Sequence, residues 1–198
     1  MECQSCPPGF YTSKAGATTC FKCPAGHYAF AEGSYTCTMC PSGTNSSTGS
    51  SICSNCPSGL YSRAGSARCL NCNAGEYSGE GWAECRSCPA GTSSSVGSPT
   101  CTKCPGGFYS GEGSAHCLGC MAGKFSEEGW DKCETCFPGT ISNVTSASCT
   151  ECPSVSCFFF YLNSSKCVTN TTSTTIDMSS KGYYSHAGSS KCKKCSDV

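Results

Sequence analysis

The regular feature of this chain is a series of cysteine pairs, which recur at a nearly constant spacing and are separated by mostly polar stretches. Cys-x2-Cys pairs begin at positions 3, 20, 37, 53, 69, 85, 101, 117, 133 and 149, so the step is 17, 17 and then 16 seven times. Each stretch between pairs is mostly polar, with Pro and Gly near its start and Gly-Ser or Gly-Trp near its end. These turn residues leave room for two short extended segments. The pattern predicts a tandem array of small modules, each with a short β-hairpin.

A longer repeat of 48 residues lies above the short one, because three module types recur in the same order. Trp82 and Trp130, for example, stand 48 residues apart at the same place in the second type. We assign 3–152 to three such units, 153–181 to an insert, and 182–198 to the end of the final module. Stacked repeats form a quasi-one-dimensional protein. We therefore expect an elongated rod or solenoid.

Composition explains what must hold such a rod together. Cysteine accounts for 24 of 198 residues, and only 13% of residues are charged. Leu, Ile and Val are too scarce for a sizeable core, so cross-links have to offset the chain entropy lost on folding. The predicted fold class is a small disulfide-rich repeat protein. The formal net charge is zero, which favours neither nucleic acid nor an anionic membrane, and no apolar run is long enough to span a membrane.

The cysteines and the sequons indicate the same compartment. Disulfides at this density persist in an oxidising environment. Four Asn-x-Ser/Thr sequons predict covalent N-glycans, and they begin at Asn45, Asn143, Asn163 and Asn170. We expect a secreted or cell-surface protein without any other cofactor.

The spacing alone leaves the pairing of the cysteines open. A Cys-x2-Cys closed on itself makes a tight loop typical of exchangeable disulfides. Joining the second cysteine of one pair to the first of the next closes a loop of about 15 residues, worth roughly 3 kcal/mol. We favour this ladder, which pairs Cys6–Cys20, Cys23–Cys37, Cys40–Cys53, Cys56–Cys69, Cys72–Cys85, Cys88–Cys101, Cys104–Cys117, Cys120–Cys133, Cys136–Cys149 and Cys152–Cys192, with Cys157–Cys167 nested in the last rung.

The segment Cys6-Pro7-Pro8-Gly9-Phe10-Tyr11, followed by Cys20, resembles the first module of tumour-necrosis-factor-receptor cysteine-rich domains. The array from Cys3 to Cys152 resembles ephrin-receptor-like cysteine-rich repeats. This resemblance implies an extended rod of short β-hairpins and supports the ladder. It says little about function, because such repeats serve many proteins as spacers.

The ladder leaves Cys3 and Cys195 without partners. Two interpretations follow: the array continues in a longer chain, or Cys195 of one protomer bonds Cys3 of the next in a head-to-tail filament. A different local pairing at each end is the third alternative.

Active and metal sites have weaker support. Paired Cys-x2-Cys motifs can bind zinc, but the tandem array and the sequons favour disulfides. The three histidines have no catalytic partners in the sequence, and the recurring Glu-Gly pairs fit turns better than a calcium loop. We expect no catalytic residue, no metal ligand and no enzyme activity.

Several aromatic residues are candidate interface positions. An aromatic ring recurs five residues after a cysteine, as at Tyr77, where we expect it to pack over the neighbouring disulfide. Local packing and contact with a neighbouring module or chain are equally weighted for the two tryptophans. The insert carries an apolar run that either packs on preceding modules or docks a partner. The candidate interface residues are Trp82, Trp130, Phe158, Phe159, Phe160 and Tyr161.

Two functions remain from the sequence. The first is a glycosylated fibre protomer or rigid spacer, which self-associates or continues in a longer chain. The second is a receptor ectodomain that binds a protein ligand. Modules 48 residues apart are nearly interchangeable, which favours the scaffold.

Overall fold

The computed structural model describes residues 5–152 and 183–194. Within these ranges the chain forms two-residue strands and no helix, and the strands pair into ten two-stranded sheets. Each odd-numbered strand pairs with the next even-numbered one. The strands are β1 (Phe10–Tyr11), β2 (Phe21–Lys22), β3 (His27–Tyr28), β4 (Thr38–Met39), β5 (Thr44–Asn45), β6 (Ser54–Asn55), β7 (Leu60–Tyr61), β8 (Leu70–Asn71), β9 (Glu76–Tyr77), β10 (Arg86–Ser87), β11 (Thr92–Ser93), β12 (Thr102–Lys103), β13 (Phe108–Tyr109), β14 (Leu118–Gly119), β15 (Lys124–Phe125), β16 (Glu134–Thr135), β17 (Thr140–Ile141), β18 (Thr150–Glu151), β19 (Tyr183–Tyr184) and β20 (Lys193–Lys194).

Each hairpin is built by a turn at one end and a Cys-x2-Cys pair at the other. In the fourth module the amide of Leu60 donates to the carbonyl of Pro57 at 3.1 Å, and Gly59 has a φ of 85°. A glycine with positive φ at the third position is the mark of a type II turn. The chain then enters β7, and its partner β8 is the pair of residues between Cys69 and Cys72. The position of the second strand thus follows from the Cys-x2-Cys pair that encloses it. The first strand begins directly after the turn that the glycine allows.

The disulfides form the predicted ladder, so the fold class is confirmed. Ten bonds are described, with Cα–Cα distances of 5.6–5.9 Å, in the usual range for a disulfide. We number the modules 1 to 10 in chain order by these bonds: Cys6–Cys20, Cys23–Cys37, Cys40–Cys53, Cys56–Cys69, Cys72–Cys85, Cys88–Cys101, Cys104–Cys117, Cys120–Cys133, Cys136–Cys149 and Cys152–Cys192.

The buried residues are cysteine and serine. The first cysteine of every module is buried, and so is a serine six residues later in most modules. The recurring aromatic rings are only half-buried, and their packing over the neighbouring disulfides stays a prediction. Ala29 takes the serine's place in module 2. The buried serines are Ser46, Ser62, Ser78, Ser94, Ser110, Ser126, Ser142 and Ser185.

These serines join each module to the one before it. The hydroxyl of every buried serine donates to a carbonyl in the preceding module at 2.8–3.0 Å, as from Ser78 to Leu60. The backbone adds two bonds at the same junction. The amide of Gly59 donates to the carbonyl of Ser78 at 2.8 Å, and the amide of Gly81 donates to the carbonyl of Cys56 at 2.9 Å. Buried polar groups are therefore paired across the junction, as a core without large apolar side chains requires.

Two recurring glycines, present together in most modules, bring next-but-one modules together. The first glycine follows the buried cysteine by three residues, and the second glycine precedes the end of the module. A Cβ on Gly59 would overlap the carbonyl oxygen of Gly97, two modules further on. The same overlap between first and second glycines recurs at Gly9 with Gly49, Gly26 with Gly65, Gly43 with Gly81, Gly75 with Gly113, Gly91 with Gly129, and Gly123 with Gly188.

The described chain divides into two compact units. The first holds residues 5–88 with Ser93–Thr102 and Gly113–Ala115, and the second holds Pro89–Thr92, Lys103–Glu112 and the described residues from His116 onward. All the junction contacts above lie within one unit or the other. Elongation of the chain into a rod stays a prediction. The insert 153–181 lies outside the described residues.

Candidate functional site

The candidate positions among the described residues are exposed or half-buried side chains. No group of His, Cys, Asp or Glu in 5–152 and 183–194 is arranged to hold a metal ion. In the same ranges, no helix of the length and hydropathy needed to cross a bilayer is present.

Both tryptophans contact an aromatic ring of their own module. The ring of Trp82 lies 5.6 Å from that of Tyr77, and the ring of Trp130 lies 5.5 Å from that of Phe125. The guanidinium of Arg86 lies 4.6 Å above the Trp82 ring, in a cation–π geometry. Both indoles remain half-exposed. Local packing therefore occurs, and the interface role of the two tryptophans stays a prediction.

The carboxylates of the Glu-Gly pairs contact the Cys-x2-Cys segments of earlier modules. The carboxylate of Glu80 accepts a hydrogen bond from the side-chain Nδ2 of Asn55 at 3.2 Å. The carboxylate of Glu128 lies 3.7 Å from the ammonium of Lys103. Both side chains of the ion pair are 67% exposed, so the pair adds little stability. These contacts agree with the interpretation of Glu-Gly as a turn.

One histidine lies in a strand rather than in an exposed loop. His27 lies in β3 and is half-buried, and its Nδ1 is buried without a hydrogen-bond partner among the described residues. The backbone carbonyl of His27 accepts a hydrogen bond from the hydroxyl of Ser46, a junction serine of the next module, at 2.9 Å. The imidazole occupies the first position of a strand at which the other modules have Phe, Thr, Leu, Glu, Lys or Tyr.

The two described sequons have different surroundings. Asn45 lies in β5 and is half-buried. Its Nδ2 donates to the carbonyl of Ala67 at 3.4 Å, and its Oδ1 lies 3.3 Å from the sulfur of Cys69. Asn143 is exposed on a loop. The first asparagine thus takes part in contact with the next module, and the second is exposed.

Two consecutive modules expose large apolar side chains at one equivalent position. The residue after the second cysteine of a pair is proline in seven modules, but it is Met121 and Phe137 in modules 8 and 9. Met121 is 77% exposed and Phe137 is 74% exposed. Sequence analysis did not single out these residues, although the loss of proline at a repeated position is a usable signal.

Several predicted positions lie outside the described residues. They are Cys3, Cys195, the pair Cys157 and Cys167, the sequons at Asn163 and Asn170, and the apolar residues Phe158, Phe159, Phe160 and Tyr161.

Comparison with known families bears on the N-terminal modules. The family model described as tyrosine-protein kinase ephrin type A/B receptor-like matches residues 1–34 and 15–46. The resemblance to ephrin-receptor-like repeats is confirmed. Later modules repeat the same disulfide, hairpin and junction contacts as the matched ones. The chain is thus a cysteine-rich repeat protein of extracellular type. No curated protein sequence matches it.

Sequence analysis missed the junction residues. The serine six residues after the buried cysteine recurs in most modules and could have been noticed by its period. Its burial could not have been inferred, because isolated serines are mostly exposed in proteins.

Proposed function

We propose that this chain is a structural, non-catalytic protein of the extracellular space or cell surface, a glycosylated fibre protomer or a rigid spacer. The observation that carries the proposal is the junction between modules. It uses backbone groups, a serine hydroxyl and glycine surfaces, and it recurs with the same partners along each unit. A junction of this kind can be extended by adding modules without changing side chains, which suits a scaffold.

Head-to-tail assembly is the second part of the proposal. The ten disulfides pair every cysteine of the described residues, and we expect Cys3 and Cys195, which lie outside them, to form the bonds between protomers. A heterologous bond of this kind yields an open filament. No cofactor other than covalent N-glycans is required.

The test uses the chain secreted from eukaryotic cells and run on denaturing gels with and without reductant. We expect multiples of a glycosylated 20.4 kDa chain that collapse to one band on reduction. Coexpression of Cys3→Ser with Cys195→Ser, each with a different tag, should give a mixed dimer and no larger species. A disulfide-linked dimer of Cys3→Ser alone would contradict the head-to-tail bond, and a reductant-insensitive monomer of the natural chain would contradict polymerisation.

A receptor ectodomain is the second candidate function, and the exposed pair Met121 and Phe137 favours it. Both side chains are large, apolar and largely exposed at equivalent positions of consecutive modules, and exposed apolar side chains are a common feature of protein–protein contact surfaces. If the chain binds a protein ligand through this surface, changing Met121 and Phe137 to proline should abolish binding and leave the fold intact. Proline occupies the equivalent position in most other modules, so the double variant is matched to the repeat.

A further inference from the structure

The loop of module 9 departs from the repeat at one backbone position. Modules 3 and 6, the equivalent modules in the 48-residue repeat, have their second glycine at Gly49 and Gly97, and module 9 has Thr145 there. Thr145 keeps a left-handed φ of 56°, and no other non-glycine residue of the described ranges has a positive φ. A β-branched residue is strongly disfavoured in this conformation. Strain of this kind is found where another requirement fixes the residue.

The surrounding sequence is adapted to the threonine. In other modules the side chain of the second residue between the paired cysteines lies beside a second glycine further along the chain; a Cβ on Gly97, for example, would lie 3.2 Å from Oδ1 of Asn71. The residue that faces Thr145 in this way is Gly119, which has no side chain. A Cβ on Gly119 would lie 2.8 Å from Cγ2 of Thr145, closer than real contacts allow. The side chain of Thr145, where equivalent modules have glycine, is thus matched by the lack of a side chain at Gly119, where most other modules have one.

A second adjustment occurs beside the first. A Cβ on Gly106 would lie 2.6 Å from the Cβ of Ala147 in the same loop. Most other modules have Ala, Ser or Pro at the position of Gly106. Module 7 therefore leaves space at two places for the altered loop of module 9.

The threonine completes a glycosylation sequon, Asn143-Val144-Thr145. Asn143 is exposed and its side chain forms no hydrogen bond with any described residue, and Val144 is 64% exposed. Glycine at 145 would relieve the backbone but remove the hydroxyl that the sequon requires. The other described sequon, at Asn45, has its Nδ2 directed to the carbonyl of the next module.

We infer that the loop of module 9 is an N-glycan acceptor site, occupied at Asn143, and that Asn45 is a junction residue without a glycan. In the reaction Nδ2 of Asn143 bonds the anomeric carbon of an oligosaccharide carried on a lipid diphosphate. Nδ2 loses one proton, and the lipid diphosphate leaves. The inference rests on the secretory location in the proposed function and adds to it the position of the sugar.

The test is glycopeptide mass spectrometry of the chain secreted from eukaryotic cells. We expect a glycan at Asn143, none at Asn45, retention of the Asn143 glycan in Thr145→Ser, and its loss in Thr145→Gly and Asn143→Gln. Asn45→Gln should leave the glycan pattern unchanged. A secreted, fully oxidised chain that is bare at Asn143 overturns this inference alone. A chain that is retained in cells with free thiols overturns the proposed function and this inference with it.

Melting temperatures separate the acceptor role from a merely tolerated substitution. Thr145→Gly and Asn143→Gln both lack the glycan, but only the first relieves the backbone, so it should melt about 2–4 °C higher than the second. Gly119→Ala should lower the melting temperature when Thr145 is present and have little effect in Thr145→Gly. Equal melting temperatures for the two bare variants, or an equal effect of Gly119→Ala in both backgrounds, would show that the loop carries no strain and overturn the argument.

Discussion

At the scale of the residue, buried serine and glycine do the work that large apolar side chains do in ordinary cores. Ser78 and Ser110 are fully buried, and each is satisfied by a carbonyl of the preceding module. A small hydroxyl can be buried at low cost when it is hydrogen-bonded. It also lets neighbouring backbones approach closely. The chain can therefore build a core from a few atoms in each module.

Replacing a junction serine should cost about 1–3 kcal/mol of unfolding free energy. Ser110→Ala leaves the carbonyl of Thr92 buried without its donor at 2.9 Å. The natural comparison is Ala29, which occupies the same position in module 2. Ala29→Ser should be neutral or stabilising, since the carbonyl of Phe10 is the equivalent acceptor. Guanidinium unfolding of the oxidised variants measures both changes, and a neutral Ser110→Ala would show that the hydroxyl is not part of the junction.

At the scale of the element, each module is a hairpin of two-residue strands that cannot be stable by itself. Two-stranded hairpins are marginal in water even when they are longer. The disulfide closes the loop, and the neighbouring modules satisfy the backbone groups that the short strands leave open. The first glycine matters most here because no side chain fits between its backbone and the module two positions on. The hairpin is therefore an element of the stack rather than an independent unit.

Gly59→Ala and Gly16→Ala separate the two roles of glycine. Both residues have positive φ, +85° and +74°, so each substitution should cost about 1–2 kcal/mol of backbone strain. Gly59→Ala adds an overlap with the carbonyl of Gly97, whereas a Cβ on Gly16 meets nothing within 4 Å. We expect a further loss of about 1–3 kcal/mol for Gly59→Ala alone. Thermal unfolding of the two oxidised variants gives the difference, and equal losses would show that the close approach has no energetic consequence.

At the scale of the whole molecule, the sequence predicts extension. If hairpins cross the rod axis, each module adds two strand widths, about 10 Å, so ten modules span about 100 Å. Within each unit the glycine contacts reach the next-but-one module. A scaffold function depends on extension, since a spacer works by the distance that it holds.

Small-angle scattering of the enzymatically deglycosylated monomer tests the extension. A compact chain of 198 residues has a radius of gyration of about 16 Å. A rod approaching the predicted length has a radius of gyration of about 25–30 Å. Its pair-distance distribution decays slowly towards the longest distances. The Cys3→Ser, Cys195→Ser double variant keeps the sample monomeric. A radius near the compact value would contradict the rod and weaken the spacer function.

Local and covalent features could be predicted from the sequence. The module boundaries and the hairpins follow from the spacing of cysteines and turn residues. That spacing left the disulfide pairing open, and the entropy of loops of about 15 residues, together with the resemblance to ephrin-receptor-like repeats, favoured the ladder. The resemblance to ephrin-receptor-like repeats depends on the same spacing. Each of these features involves residues of a single module, so the sequence of one module is enough to predict them.

Only the tertiary structure decided how the modules meet. Burial of Ser110, the approach of Gly59 to Gly97 and the fit of Thr145 to Gly119 all join residues of different modules. Such contacts depend on the rotation and rise from one module to the next. Neither quantity can be derived from the length of the sequence repeat. The ladder could therefore be predicted from the sequence and its resemblance to known repeats, whereas the junction, and with it the setting of Asn45 and Asn143, was determined by packing in three dimensions.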